Sequence, residues 1–152
     1  MKTAITPKNS MREDGNNVLN FKPQFAKRFK MLRLKYDLSH SALSNLFCLK
    51  SPTSISNIES NRAFPSFELM NKTIILFAIS ADWLLGYSDE PYNETLISKI
   101  EASLTDTISK LGIDYDVKNY SLEERAKIIF LLQAVNGNTE KYLPLLLKMV
   151  KK

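Results

Sequence analysis

Hydrophobic residues recur at three- and four-residue spacing through most of this chain, and short clusters of Ser, Asn, Asp, Pro and Gly break the rhythm. That pattern predicts a string of amphipathic helices with short links, because a strand would alternate with period two. Residues 1–20 lack the rhythm. They are polar, punctuated by Thr6-Pro7, Asp14-Gly15 and Asn16-Asn17, and read as a flexible leader. From Pro23, a residue favoured in a first helical turn, Phe25, Phe29, Leu32 and Tyr36 trace an inner helix face. Asp37 is a tolerable left-handed stop. Ser39 can cap a second helix running to about Phe47, with Ala42, Leu43, Leu46 and Phe47 turned inward.

Ser51 is placed to cap a third helix with Pro52 at its first position, and Asn61 can close it in the left-handed conformation. Phe64-Pro65-Ser66 is a break followed by a cap, leading into a fourth helix that carries Glu68 in its first turn and reaches about Ala78. Ser80 caps a short fifth, Ala81 to Leu85, stopped by Gly86. These five helices make one domain, residues 21–88, and residues 89–95 form a polar link. Beyond it Leu96, Ile97, Ile100, Leu104, Ile108 and Leu111 line one helix of about four turns, ended by Gly112. Ser121-Leu122-Glu123-Glu124 is a capping box that opens into Ala126, Ile128, Ile129, Leu131, Leu132 and Val135. After Asn136-Gly137-Asn138 comes a last apolar helix, ending in Lys151-Lys152. It contains Pro144, whose missing donor suits a first turn, so a start near Lys141 is expected. The expected class is all-α.

Composition agrees. Only 4 glycines in 152 residues argue against a turn-rich β fold, and 44% hydrophobic with 24% charged residues is ordinary for a soluble globular protein. The length suits one core or a small domain with an appendage. The single cysteine, Cys48, cannot form an internal disulfide, which points to a reducing cytoplasm. Neither a signal-peptide core nor a membrane-spanning apolar run is seen.

Charge adds a partner. The chain carries +5 with a pI near 9.3, so an anionic partner is plausible in principle. Met1 to Pro91 holds 12 basic and 8 acidic residues, against 9 and 8 from Tyr92 onward. Lys22, Lys27, Arg28, Lys30, Arg33 and Lys35 follow one another with no acid between them. Such a run is either a solvated helix face or an electrostatic footprint.

The third helix separates these. Ile55 and Ile58 lie three apart and must face inward, which turns out Thr53, Ser54, Ser56 and Asn57. A helix face of small hydrogen-bonding side chains fits the base edges of a DNA major groove. With Phe25, Leu32-Arg33, Leu38-Ser39-His40, Leu43, Ser51, Ile55-Ser56-Asn57-Ile58-Glu59, Pro65-Ser66 and Asp82-Trp83-Leu84-Leu85-Gly86 in this order, residues 25–91 resemble the Cro/CI-type (lambda-repressor-like, XRE) helix-turn-helix family. The resemblance covers a little under half the chain.

The resemblance implies a five-helix DNA-binding domain whose third helix enters the major groove while the second crosses the backbone. Carried over by position, Pro52, Thr53 and Asn57 read bases. Asn57 could pair with adenine, and Thr53 could meet a thymine methyl or either base type. Pro52 offers apolar contact alone. Ser51, Ser54, Ser56, Asn61, Arg62, His40, Lys27 and Arg28 would bind phosphate. For Ser51, helix capping is an equally simple role, and the two can coexist. His40 stands where the family usually has glutamine. Arg33 and Glu59 fall where many members hold an ion pair joining the first and third helices. Trp83 is expected in the core. Two departures bear on geometry. One extra residue near Leu49-Lys50 lengthens the turn, and Cys48 and Ala78 replace common glycines.

The second half, residues 96–152, is a smaller helical region without a ligand signature, and dimerisation is the expected use of its apolar faces. Leu96, Ile97, Ile100, Leu104, Ile108, Leu131, Leu132, Leu146 and Leu147 would form the interface. A homodimer would present two recognition helices about 34 Å apart to a palindromic double-stranded operator. A helical cap folded onto its own DNA-binding domain is the other possibility. No cofactor, metal or catalytic group is expected: there is one histidine and no motif places a nucleophile beside a base. The self-cleaving serine–lysine domain of larger phage-type repressors does not fit a second half this short and helical. The reading is a dimeric DNA-binding regulator, more a repressor of a phage, mobile-element or bacterial operon than an enzyme. An antitoxin-like or adaptor protein, using its C-terminal helices on a protein partner, is the alternative.

Overall fold

A computed structural model describes residues 21–150, so the leader and Lys151-Lys152 lie outside the described residues. Among those described there are nine α-helices, a single 3-10 turn at Val117–Asn119 and no strand, an all-α fold. The helices are α1 (Phe21–Lys35), α2 (His40–Leu46), α3 (Thr53–Glu59), α4 (Phe67–Phe77), α5 (Ala81–Leu85), α6 (Glu94–Ser103), α7 (Thr105–Lys110), α8 (Leu122–Ala134) and α9 (Thr139–Val150). None is long and apolar enough to cross a membrane.

Local chemistry sets most boundaries. Ser39, Ser66 and Ser80 hydroxyls accept from the backbone N–H of Ala42, Leu69 and Trp83, occupying donors that a helix start leaves orphaned. Ser121 and Glu124 close a reciprocal capping box. The exits are also alike. Asp37, Cys48, Asn61 and Ala78 take φ of 53°, 56°, 63° and 51°, and in each case the next residue's N–H reaches back five residues to a helix carbonyl. Asp37 and Asn61 suit that conformation; Cys48 and Ala78 carry the strain that glycine would avoid. At Gly86, with φ 91°, a Cβ would sit 2.8 Å from Cγ of Gln24.

In the second half, two helices differ from the sequence expectation. The stripe from Leu96 to Leu111 is not one helix, because it breaks at Leu104 into α6 and α7. Ser103 and Thr105 hydroxyls flank the break and donate to the Ile100 and Ala102 carbonyls at 2.6 and 2.9 Å, competing with the regular backbone ladder. The last helix starts at Thr139, two residues before Lys141, because Asn138 caps it through the Lys141 N–H at 3.1 Å. Pro144 therefore sits inside the helix.

The second half does not stand apart. Phe25, Phe29, Leu43, Ile55, Phe77 and Leu84 share one buried cluster with Ile128, Phe130, Leu132 and Leu146. Tyr36, Phe77 and Phe130 stack, with centroids 4.4 Å apart for Tyr36–Phe130 and 5.7 Å for Phe77–Phe130. Gln133 of α8 donates to the Ile75 carbonyl at 3.0 Å and the Leu76 carbonyl at 3.4 Å, closing the end of α4. The segment 89–95 is fastened too: the Ser80 N–H donates to the Pro91 carbonyl at 2.7 Å.

The dimer face expected from the sequence is corrected accordingly. Ile97, Ile100, Leu131, Leu132 and Leu146 are buried within the chain. Leu96, Leu104 and Ile108 are half-buried against them, and Leu147 is half-buried as well. Those side chains pack wholly or partly against the protein's own helices, the cap arrangement.

An ionic cluster locks α6 to α8. Arg125, on the inner face of α8, holds Glu101 through Nε and Nη2 at 2.8 and 2.7 Å. The Tyr115 hydroxyl donates to Glu101 Oε1 at 2.6 Å. Burial opposes ionisation of Glu101, but the bonds from Arg125 and Tyr115 outweigh it and hold its pKa below the ordinary 4.5.

Candidate nucleic-acid interface

α3 is built to show one face. Ile55 and Ile58 anchor it in the core at 0% and 5% exposure. Three exposed residues, Pro52, Thr53 and Ser54, lead the helix, with Ser56 and Asn57 half-buried beside them. The Ser51 hydroxyl accepts from the Thr53 N–H at 3.2 Å, but the cap position falls on Pro52, whose side chain bonds no helix donor, so the expected Ser51 cap with Pro52 inside the helix is corrected by one residue. The Asn57 carbonyl accepts from Arg62 and Ala63 N–H at 2.8 and 3.1 Å. Its side-chain amide makes no hydrogen bond among the described residues, and neither does the Thr53 hydroxyl.

Arg33 and Glu59 meet as the family likeness implies. Arg33 Nε donates to Glu59 Oε1 at 2.5 Å and Nη2 to Oε2 at 3.1 Å. Nη1 donates to the Leu38 carbonyl at 2.8 Å, so the same guanidinium closes the end of α1. His40 joins the pair, its Nε2 lying 3.0 Å from Glu59 Oε2. Burial works against the Glu59 charge, yet bonds from Arg33 and His40 prevail and hold its pKa below the ordinary 4.5. One carboxylate thus ties α1, α2 and α3 together, and fixes the orientation of α3 without using the outward residues of α3 itself.

The lengthened turn is absorbed before α3 begins. Cys48 closes α2 in the left-handed conformation, its exposed thiol outward, and Leu49 N–H donates to the Ser44 carbonyl at 2.9 Å. Lys72 from α4 donates to the Phe47 carbonyl at 2.9 Å, holding the same end. Leu49 and Lys50 then span to Ser51.

The remaining sequence-chosen contacts divide. Lys27 is exposed and makes no ion pair among the described residues. Asn61 and Arg62 are exposed at the end of α3, with Arg62 Nε bonded to the Ser60 hydroxyl at 2.8 Å. Ser54 is open, whereas the Ser56 hydroxyl donates to the Thr53 carbonyl at 3.1 Å. Arg28 is corrected. Its guanidinium donates to the Trp83 carbonyl and, at 2.8 Å, to the Ser88 carbonyl, and lies 4.8 Å from the Trp83 ring centroid. It secures the end of α5 on α1 and is not presented to a phosphate.

Sequence reading missed the His40–Glu59 contact and the Arg125 cluster. A signal existed for the second: Arg125 falls three after Leu122 and four before Ile129, on the apolar stripe. For His40 no local signal distinguishes an inward bond from an outward ring. No group of three or more His, Cys, Asp or Glu able to hold a metal occurs among the described residues. Compared with protein families, curated proteins and solved structures, the chain matches none.

Proposed function

We propose that this chain is a sequence-specific DNA-binding transcriptional regulator of the Cro/CI kind, a repressor of a phage, mobile-element or bacterial operon, with α3 in the major groove. The carrying observation is the α3 face itself. Thr53 and Asn57 have unengaged side-chain polar groups, while the buried Arg33–Glu59 pair, joined by the part-exposed His40, holds the helix from behind. In this reading Thr53 and Asn57 read base edges, and Pro52 supplies apolar contact. Lys27, Ser54, Asn61, Arg62 and the outer edge of His40 meet phosphate and set register.

Dimerisation, in this proposal, moves from the C-terminal stripe to the α4–α5 side. Phe67 is 81% exposed there, beside an apolar groove of about 210 Å³ lined by Met70, Ile74, Leu84 and Leu85. An exposed aromatic next to an apolar groove suits a self-complementary two-fold contact. The same surface would serve a foreign protein in the antitoxin-like or adaptor reading. A tight homodimer of the free chain in sedimentation supports the repressor; a stable monomer favours the adaptor.

Selection of bound sequences from a random duplex pool tests the DNA reading, with Asn57→Ala in parallel. The expected result is a palindromic motif that loses definition at one position per half-site in the variant. If no motif emerges, or the variant recovers it at equal affinity, the assignment fails.

A further inference from the structure

A cleft of about 500 Å³ opens where the end of α1 meets α8 and α9, within the size range of small-molecule sites. Its floor is aromatic, made by Tyr36, Phe130 and Tyr142, with the Phe130 and Tyr142 centroids 5.8 Å apart and edge-on. Leu145 and Met149 of α9 add an apolar side, and Leu145 is 48% exposed.

Charge surrounds this apolar floor on one side of neutrality. Lys127 lines it from α8, and Lys141 and Lys148 from α9. Seven residues apart on one helix, Lys141 and Lys148 lie on the same face with about 10 Å between their backbone positions. None of the three makes an ion pair among the described residues. Lys35 also lines the cleft, but its ammonium is bonded to Glu123 at 2.6 Å and the Tyr92 hydroxyl at 2.9 Å. Asp37 is the single lining acid. The Tyr36 hydroxyl has no hydrogen-bond partner among the described residues. Burial, with the nearby Tyr92 and Glu123, pushes its pKa up, so the phenol keeps its proton as a donor.

Three ammonium groups without a carboxylate partner among the described residues stand around a concave aromatic floor, that of Lys141 lying 5.2 Å from the Tyr142 ring centroid, and together they favour a compact anion over a neutral solute. We infer that this cleft binds a small organic anion with a flat apolar body and one or more carboxylate, sulfonate or phosphate groups. The rings and Leu145 take the body, and the lysines take the charge as point donors. Nothing in this depends on DNA binding.

The test uses the full chain and anilinonaphthalenesulfonate as the probe, with uncharged phenylnaphthylamine as its control. The expected result is saturable one-to-one binding with blue-shifted emission. It should weaken about 10-fold in Lys127→Gln/Lys141→Gln/Lys148→Gln, since three partly exposed ion pairs, each weak, act together. Thermal stability of the triple variant should match the parent, because these side chains are solvated. Equal affinity of the triple variant for the probe, or equally tight binding of the neutral control, overturns the inference. So does probe signal that disappears as rising chain concentration drives association, which would make a second copy the occupant.

Discussion

Two arginine–glutamate pairs of almost the same geometry hold this protein together, and they do different work. In the C-terminal half, Glu101 is gripped by Arg125 and by the Tyr115 hydroxyl, and Arg125 reaches further to Glu94 at 3.4 Å and Ser98 at 3.3 Å. Every partner there is structural. In the N-terminal half, Glu59 is gripped by Arg33 but its third partner, His40, has a side chain 42% exposed at the start of α2. Both clusters reach the surface, the first through Glu94, whose side chain is 73% exposed, and the second through His40 at the face proposed to meet DNA. Ion pairing alone does not mark function, and what separates the two is which elements they join: α6 to α8 in one, α1 and α2 to α3 in the other.

Breaking the Arg125–Glu101 pair, both of whose side chains are buried, should have the largest effect. Glu101→Ala leaves the Arg125 guanidinium buried without its main partner and should cost about 3–5 kcal/mol in urea unfolding. Replacing both residues by Leu and Met should restore most of that loss. Glu59→Gln keeps the shape and one set of bonds, so its cost should be smaller, about 1.5–3 kcal/mol. It should also weaken operator binding beyond the stability loss, which the Glu101 variant should not do once folded protein is counted.

Acid sharpens the comparison. Both carboxyls titrate below the ordinary 4.5 in the folded chain, so the unfolded chain takes up those protons at higher pH. Stability from both is fully present above 4.5 and is lost as pH falls through their folded values. Urea midpoints measured against pH should therefore drop below that point, and the drop should flatten in a Glu59→Gln/Glu101→Gln variant.

At the outer face, Asn57→Ala should change stability by no more than about 0.5 kcal/mol. It should cost about 1–3 kcal/mol of binding to the preferred site, with relaxed choice at one base pair. The smallest effect contrasts neighbours. Lys27→Gln should lower the salt dependence of binding by about one unit of slope, measured by titrating at several salt concentrations. Arg28→Gln should leave the slope unchanged and reduce stability, because its bonds run to Trp83 and Ser88.

The sequence made local rules legible. Caps at Ser39, Ser66, Ser80 and Ser121, and stops at Asp37 and Asn61, depend on side chains bonding their own neighbourhood, so they can be read one turn at a time. The inner faces of α1 to α5 followed from spacing for the same reason. What covers a face is not written locally. The stripe from Leu96 to Ile108 announced apolar burial, and its partners within the chain are α8 and the first half. Arg28 and Lys27 look alike in a basic run, and only the nearby end of α5 separates them. The Leu104 break escaped because periodicity continues through it while two hydroxyls interrupt the backbone.

The shared aromatic stack has a consequence for synthesis. Tyr36 and Phe77 leave the ribosome well before Phe130, which follows only after α5, α6 and α7 have been made. At ordinary translation rates, the wait is on the order of seconds. Throughout it the nascent N-terminal helices carry an uncovered aromatic surface. The ends of α1 and α4 therefore reach their final packing only once α8 has emerged to cover Tyr36 and Phe77.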